Sequence, residues 1–260
     1  MRRSTLAVQV GMLARRSVVR TLRQPAMVVP SLVFPLILLS INSSGLESAT
    51  RLPGFPTNSY FQFALAIPFV QGALFSANSA GTNVANDIET GFLNRLALTP
   101  LRRVALMMGQ LAGILALGMI QAITFVVIGV AFGHGIAAGF AGALVIIALS
   151  LTISLGFGCV GAWVALRTGS GEAVQGVFPL FFAALFLSSM SLPRNLIETD
   201  WFRTVATYNP VSYMLEAIRS LVIVGWDPEA LALGFACAGG VAAIALAAAS
   251  TALRGQMVRT

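Results

Sequence analysis

Few side chains in this 260-residue sequence could do covalent chemistry, and their placement argues against it. The acids Asp87 and Glu89 stand two apart, so on a helix they point to different sides and do not serve as acid and base for one group. His134 sits in a two-glycine turn without acid or thiol neighbours and reads as a loop residue. Cys159 and Cys237 fall in long apolar stretches and read as small packing residues, with neither a disulfide nor a metal role. All sixteen basic residues are arginines. Without lysine there is no phosphate-loop lysine and no Schiff-base amine, so the chain does not itself hydrolyse ATP by the Walker mechanism. No catalytic residue, no metal site and no cofactor bound by this chain is expected.

What remains for function is a charged island, Asn86 to Arg103, NDIETGFLNRLALTPLRR. Asn86 has the chemistry of a helix cap, Glu89 three residues on completes a capping box, and Pro100 marks a stop. The pattern predicts a helix of about 13 residues. Ile88, Phe92, Leu93 and Leu96 would form its apolar face, with Asp87, Asn94 and Arg95 on the rim. Such a face suits a cleft in another protein, or else rests on the membrane or on neighbouring spans.

The elements that position this island are membrane spans. The chain is 57% hydrophobic and 10% charged, with mean hydropathy +0.86, so a water-soluble fold could not cover its apolar surface. Uncharged windows at 24–46, 52–86, 104–166, 173–193 and 230–253 each reach the roughly 20 residues that cross a bilayer. The long window 104–166 is split by Gly133-His134-Gly135 into a helical hairpin. Six spans result, at 25–43, 59–83, 105–132, 137–166, 173–192 and 229–253. With both termini inside, twelve arginines and three acids lie inside; Arg51, Arg194, Arg203 and Arg219 lie outside with six acids. That asymmetry fits the positive-inside rule, and the basic balance reports contact with anionic lipid rather than nucleic acid. Residues 1–24 do not read as a cleavable signal, because Arg15, Arg16, Arg20 and Arg23 interrupt any apolar run. They suit an interfacial helix with Arg16, Arg20 and Arg23 on one stripe and Leu6, Val10 and Leu13 on the next.

The segment 193–226 does not read as a further span, because only about 16 residues lie between Pro210 and Trp226, they include Glu216 and Arg219, and another crossing would move Arg254 and Arg259 outside. It reads as an outer re-entrant pair of helices, Leu196 to Thr204 and Val211 to Val224. Pro210 suits a first helical turn, and Glu216 and Arg219 are spaced to pair on one face. Among polar residues within spans, Gln62, Gln71, Asn78, Asn83 and Gln121 are expected mostly to pack between helices. Phe61, Phe63, Phe69 and Phe75 are apolar candidates for a pathway.

ETGFLNRLALTP, preceded by two spans and followed by four, resembles the membrane subunits of type 2 ATP-binding-cassette exporters, especially the drug-resistance and lipid-export branch. YNPVSYMLEAIR, from Tyr208 to Arg219, is similar to their signature before the last span. The resemblance covers nearly the whole chain, as a single permease domain over 1–260. It implies an all-α integral membrane fold with a connecting helix at 1–24, a coupling-helix loop at 86–103 and outer re-entrant helices at 193–226. The ATPase-coupling residues it implies are Asp87, Glu89, Gly91, Phe92, Leu93, Leu96, Thr99 and Pro100. The outer gate it implies is Asn209, Pro210, Tyr213, Glu216 and Arg219. Phe92-Leu93-Asn94 departs from a Thr-Leu-Glu run found in many relatives. Two cytoplasmic ATPase subunits carrying ATP and Mg, a second permease (the same chain or a paralogue) and membrane lipids are the expected partners. The expected setting is a bacterial cytoplasmic membrane, and the expected function is outward movement of a hydrophobic drug or lipid-like substrate. Polysaccharide export within the same family and an ion-coupled secondary transporter are the alternatives, the latter opposed by spans without a clear acid or base.

Overall fold

The computed structural model describes residues 5–97, 103–132 and 135–256, and within them the chain is helical with no strand. Eleven α-helices are described: α1 (Leu6–Leu22), α2 (Pro25–Gly45), α3 (Tyr60–Ala64), α4 (Ala66–Glu89), α5 (Phe92–Ala97), α6 (Arg103–Ala131), α7 (Gly139–Thr168), α8 (Gly171–Phe186), α9 (Asp200–Tyr208), α10 (Pro210–Arg219) and α11 (Pro228–Gln256). Five segments are long and apolar enough to cross a membrane: α2, α3 with α4 over Tyr60–Glu89, α6 over Val104–Ala131, α7 and α11.

The expected fifth crossing, 173–192, is helical only over Gly171–Phe186. Sixteen residues rise about 24 Å, short of a hydrocarbon core of about 30 Å. The non-helical residues after α8 extend its reach. Ser170 caps α8 by accepting from the Glu172 and Ala173 amides, and Gly171 lies beside Ala85 near the end of α4. At the other end, the Ser191 carbonyl accepts from the Tyr60 hydroxyl at 2.9 Å, beside the start of α4.

α4 is the central helix, buried over most of its length, whereas α2 and α11 are peripheral. Lipid tails are as apolar as leucine, so helices associate here through close backbone packing rather than through burial from water. Glycines supply it. A Cβ at Gly161 of α7 would collide with the Ala77 carbonyl of α4, and one at Gly81 of α4 would lie 2.8 Å from the Gly161 carbonyl. Gly158 of α7 admits Ile114 of α6, and Gly156 admits the Ala242 backbone of α11. One large core gathers Tyr60, Phe63, Phe125, Leu149, Met214 and Leu221. A second, at the end carrying α1 and the C-terminal end of α11, gathers Val84, Ala85, Leu106, Ala165, Val174 and Leu253, with Leu13 packed against it. Both described chain ends therefore lie at one end of the bundle.

Before α11 the chain forms the expected helical pair, shifted in register: α9 spans Asp200–Tyr208 where 196–204 was expected. α10 ends at Arg219 and continues as a wider π-type turn over Ser220–Val224, closed by the Gly225 amide on the Ser220 carbonyl at 2.7 Å. Such turns insert one extra residue per turn and recur at functional sites.

Candidate functional site

At the end of the bundle that holds both described termini, Asp87 in the last turn of α4 is only 2% exposed. Arg20 donates to its Oδ1 at 2.7 Å, Arg16 to Oδ1 at 2.9 Å and to Oδ2 at 3.3 Å, and Gln110 of α6 reaches Oδ2 at 3.4 Å. Arg16 and Arg20 are four apart on α1 and so share a face. α1 is held in place by a Gly109-x-x-x-Gly113 notch in α6: a Cβ at Gly109 would stand 2.7 Å from the Leu13 Cβ, and one at Gly113 would strike the Ser17 hydroxyl. α1 is thus packed against the bundle rather than only lying along a surface. The guanidinium of Arg16 also stacks on Phe92, 3.8 Å from its ring centroid, which ties α1 to α5.

The helix expected to begin at Asn86 does not begin there. α4 runs on through Asn86 to Glu89, so the amides that a cap would serve already have helical partners. Gly91, at φ 66°, then reverses the chain in the left-handed region that glycine adopts without strain, and α5 starts at Phe92. The apolar face also turns inward: Ile88 and Leu93 pack against the second core, and Asp87 is buried instead of lying on the rim. What faces outward is polar, with Asn86, Glu89, Thr90 and Arg95 exposed and Arg95 donating to the Thr90 carbonyl. Leu96 lies in α5, and its side chain is outside the described set, as are Thr99 and Pro100.

At the opposite end the second expected group comes together. Asn209 caps α10 by accepting from the Val211 amide, and its Nδ2 donates to the Ala184 carbonyl of α8 at 2.6 Å and to Leu187 at 3.1 Å. Pro210 occupies the first helical position, where its missing amide costs nothing. The expected Glu216–Arg219 pair is not formed. Glu216 accepts from Arg194 at 2.5 Å and from the Ser189 hydroxyl at 3.2 Å, and Arg194 lies over the Tyr213 ring. Arg219, 6% exposed, donates to three main-chain carbonyls: Phe63 at 3.0 Å, Ser189 at 2.6 Å and Met190 at 2.6 Å. Its guanidinium stacks 3.6 Å from the Phe63 centroid. Five N–H donors in a fixed fork suit three convergent carbonyls, whereas Glu216 has a nearer cation.

Arg194 and the pair Arg16–Arg20 are functional candidates that sequence reasoning missed. Their signal was present in part: an acid on a deeply apolar stretch needs a cation, and α1 offers two on one stripe. Phe63 and Phe69 prove to be core residues, and Phe75 packs with Phe34, Phe178 and Phe182 at 5.4 to 6.3 Å between α2, α4 and α8. Among the described residues no group of three His, Cys, Asp or Glu could hold a metal ion, and both cysteines are free.

Two clusters thus sit at opposite ends of one buried helix and are joined through its packing. The model of the family described as ABC-2 type transporter matches residues 8–223. The chain is 25% identical to a protein of Cyanophora paradoxa named as transport permease ycf38, covering 80% of this chain and 72% of that one. It is 24% identical to the protein of that name from Porphyra purpurea, over 81% and 72%. It is also 25% identical to DrrC of Mycobacterium tuberculosis, named as a doxorubicin resistance ABC transporter permease protein, over 81% of this chain and 75% of that one.

Proposed function

Because the chain belongs to the ABC-2 type transporter family, we propose that it is the membrane permease subunit of an ATP-driven exporter, working with a second permease and two separate ATPase subunits. α8 and its continuation to Ser191 supply the sixth crossing, starting beside the Asp87 end of α4 and finishing beside its Tyr60 end. Six crossings return the C-terminus to the side of α1, a reading supported by the packing of Leu13 and Leu253 in one core. Arginine asymmetry supports a cytoplasmic placement of that side, and the setting we propose is a bacterial inner membrane.

The observation that carries the reading is the span of α4. One of its ends holds Asp87, bonded to α1; at its other end the short α3, which precedes it, offers the Phe63 carbonyl to Arg219. The 24 residues of α4 rise about 36 Å, so one helix connects an inner docking surface to an outer gate. An ATPase seated on the polar rim of Asn86, Glu89, Thr90 and Arg95 would push on α5 and α1 together. The Asp87 cluster passes that displacement to α4 and α6, and Arg219 passes it to α10 and the residues after α8. Rocking of two such permeases opens a route between them.

A hydrophobic drug or lipid-like molecule is the substrate class that fits. The rings of Phe34, Phe75, Phe178 and Phe182 meet between α2, α4 and α8, with Phe34 exposed at the bundle surface. A polysaccharide would call for a lining rich in hydroxyl and amide groups instead. The test is export into inverted membrane vesicles containing the chain and a co-purified ATPase. Uptake of a hydrophobic drug that needs ATP, and that is lost when the ATPase loses its Walker lysine, is expected. Uptake driven by a proton gradient without ATP would overturn the proposal in favour of ion coupling.

A further inference from the structure

Polar side chains inside the bundle converge on one seam. Ser76, Ser79 and Asn83 follow each other at helical spacing along α4 and face Gln110 of α6, and Ser17 and Thr21 of α1 close the third side. Between the three helices is a void with room for about one water molecule. Two buried polar atoms along the seam have no protein partner: Nε2 of Gln121, whose Oε1 accepts from Ser76, and Oε1 of Gln24, whose Nε2 donates to Asn83. Gln121 is 2% exposed, so bulk solvent does not serve it.

The chemistry of the lining selects its occupant. The lining is Ser, Thr, Asn and Gln, and behind it Gln121, bonded to Ser76, lacks an acceptor while Gln24, bonded to Asn83, lacks a donor; water can donate and accept within such a lining. Every side chain lining the void is uncharged, and Asp87 at the inner end is already neutralised by Arg16 and Arg20, so neither a cation nor a proton relay is favoured there. Toward the outer end Phe69 and Phe125 meet edge to face at 5.6 Å, beside Gly72 where it abuts Gln121, and close the seam.

We propose that the α1–α4–α6 seam is a hydration site: a neutral pocket within the bundle, between Ser76, Ser79 and Asn83 of α4, Gln110 of α6 and Ser17 and Thr21 of α1, that binds about one ordered water inward of Gln121 and the Phe69–Phe125 pair. Water so placed keeps the amides bonded while the three helices shift against one another, since a bridging molecule re-forms its bonds where two fixed side chains would lose theirs. The role in movement rests on the exporter reading; the presence of water does not.

The test is radiolytic hydroxyl-radical footprinting of the full chain in lipid nanodiscs. Ile114 and Leu117 line the void and are buried, as are Leu149 and Ile153 in the apolar core, Leu117 to the same extent as Ile153. Ile114 and Leu117 should be oxidised several-fold faster than those two, because radicals form at the bound water itself. Ser79→Leu, which fills the void, and the volume-conserving pair Ser76→Ala with Gln121→Met, which removes the polar partners, should each bring the rates down to the core level. Equal rates for all four residues in the unaltered chain would overturn the proposal.

Discussion

Replacing Asp87 by alanine should uncouple α1 from α4 and destabilise the inner end of the bundle. Breaking a buried ion pair by removing one partner costs about 3 to 5 kcal/mol, because the stranded charge remains desolvated. Here two cations are stranded, Arg20 at 18% and Arg16 at 39% exposure, so water relieves Arg16 more than Arg20 and the expected loss is near the lower bound, about 3 kcal/mol. Asp87→Asn keeps the shape and one acceptor and should lose about half of that. Arg20→Ala should be more damaging than the loss of the ion pair at Arg16, since its bond is shorter and better shielded; Arg16→Ala adds about 0.5 to 1 kcal/mol from its stacking on Phe92. Thermal unfolding in detergent ranks the four variants, and the ratio of drug exported to ATP hydrolysed in reconstituted vesicles reads the coupling. An Asp87→Ala protein that unfolds at the unaltered temperature and keeps its export-to-hydrolysis ratio would refute the reasoning. So would Asp87→Asn proving worse than Asp87→Ala, because the charge would then not be the reason for the bond.

Arg219→Ala should abolish most export while leaving ATPase co-purification intact, since three carbonyls each lose a charged donor worth about 1.5 to 3 kcal/mol; Arg219→Lys, with one ammonium in place of a fork, should recover only part, and normal export by the alanine variant would strike Arg219 from the gate. Gly161→Ala should cost about 1 to 3 kcal/mol in thermal stability from overpacking against the Ala77 carbonyl, whereas Gly239→Ala, with open space around it, should be neutral. Cysteines placed singly at Asn94, Ser43 and Thr199 in a chain lacking Cys159 and Cys237 should react with an impermeant thiol reagent in intact cells only at 43 and 199, and labelling at 94 would invert the topology.

Hydropathy located the long helices closely: 25–43 against α2 at 25–45, 105–132 against α6 at 103–131, 229–253 against α11 at 228–256. Apolar length is a local property, and the bilayer enforces it. Turn chemistry was legible where one residue decides the conformation, as at Pro210, but Gly91, expected inside a continuous helix, instead reverses the chain. The capping box at Asn86 and Glu89 misled because a cap is useful only where amides are unpaired, and the apolar pattern of α4 carries its hydrogen bonds past that point. Partner choice was least legible. Asp87 finds Arg16 across 71 positions of sequence, and Arg219 finds Phe63 across 156, so no spacing rule reaches them. Glu216 and Arg219 satisfied the local rule, yet Arg194, brought in by the chain after α8, won the carboxylate.

Arg219 grips main chain at three points, and apart from the Phe63 ring on which it stacks, its hold is indifferent to the side chains hung there. Ser189 and Met190 could be exchanged for other small or apolar residues without loosening its hold, because every residue carries the carbonyl that it uses. Substitution along the outer connection after α8 should therefore leave this contact intact, whereas substitution at 219 should not, and a deep scan of the region would show 219 intolerant together with Ser189, whose hydroxyl serves Glu216 rather than Arg219.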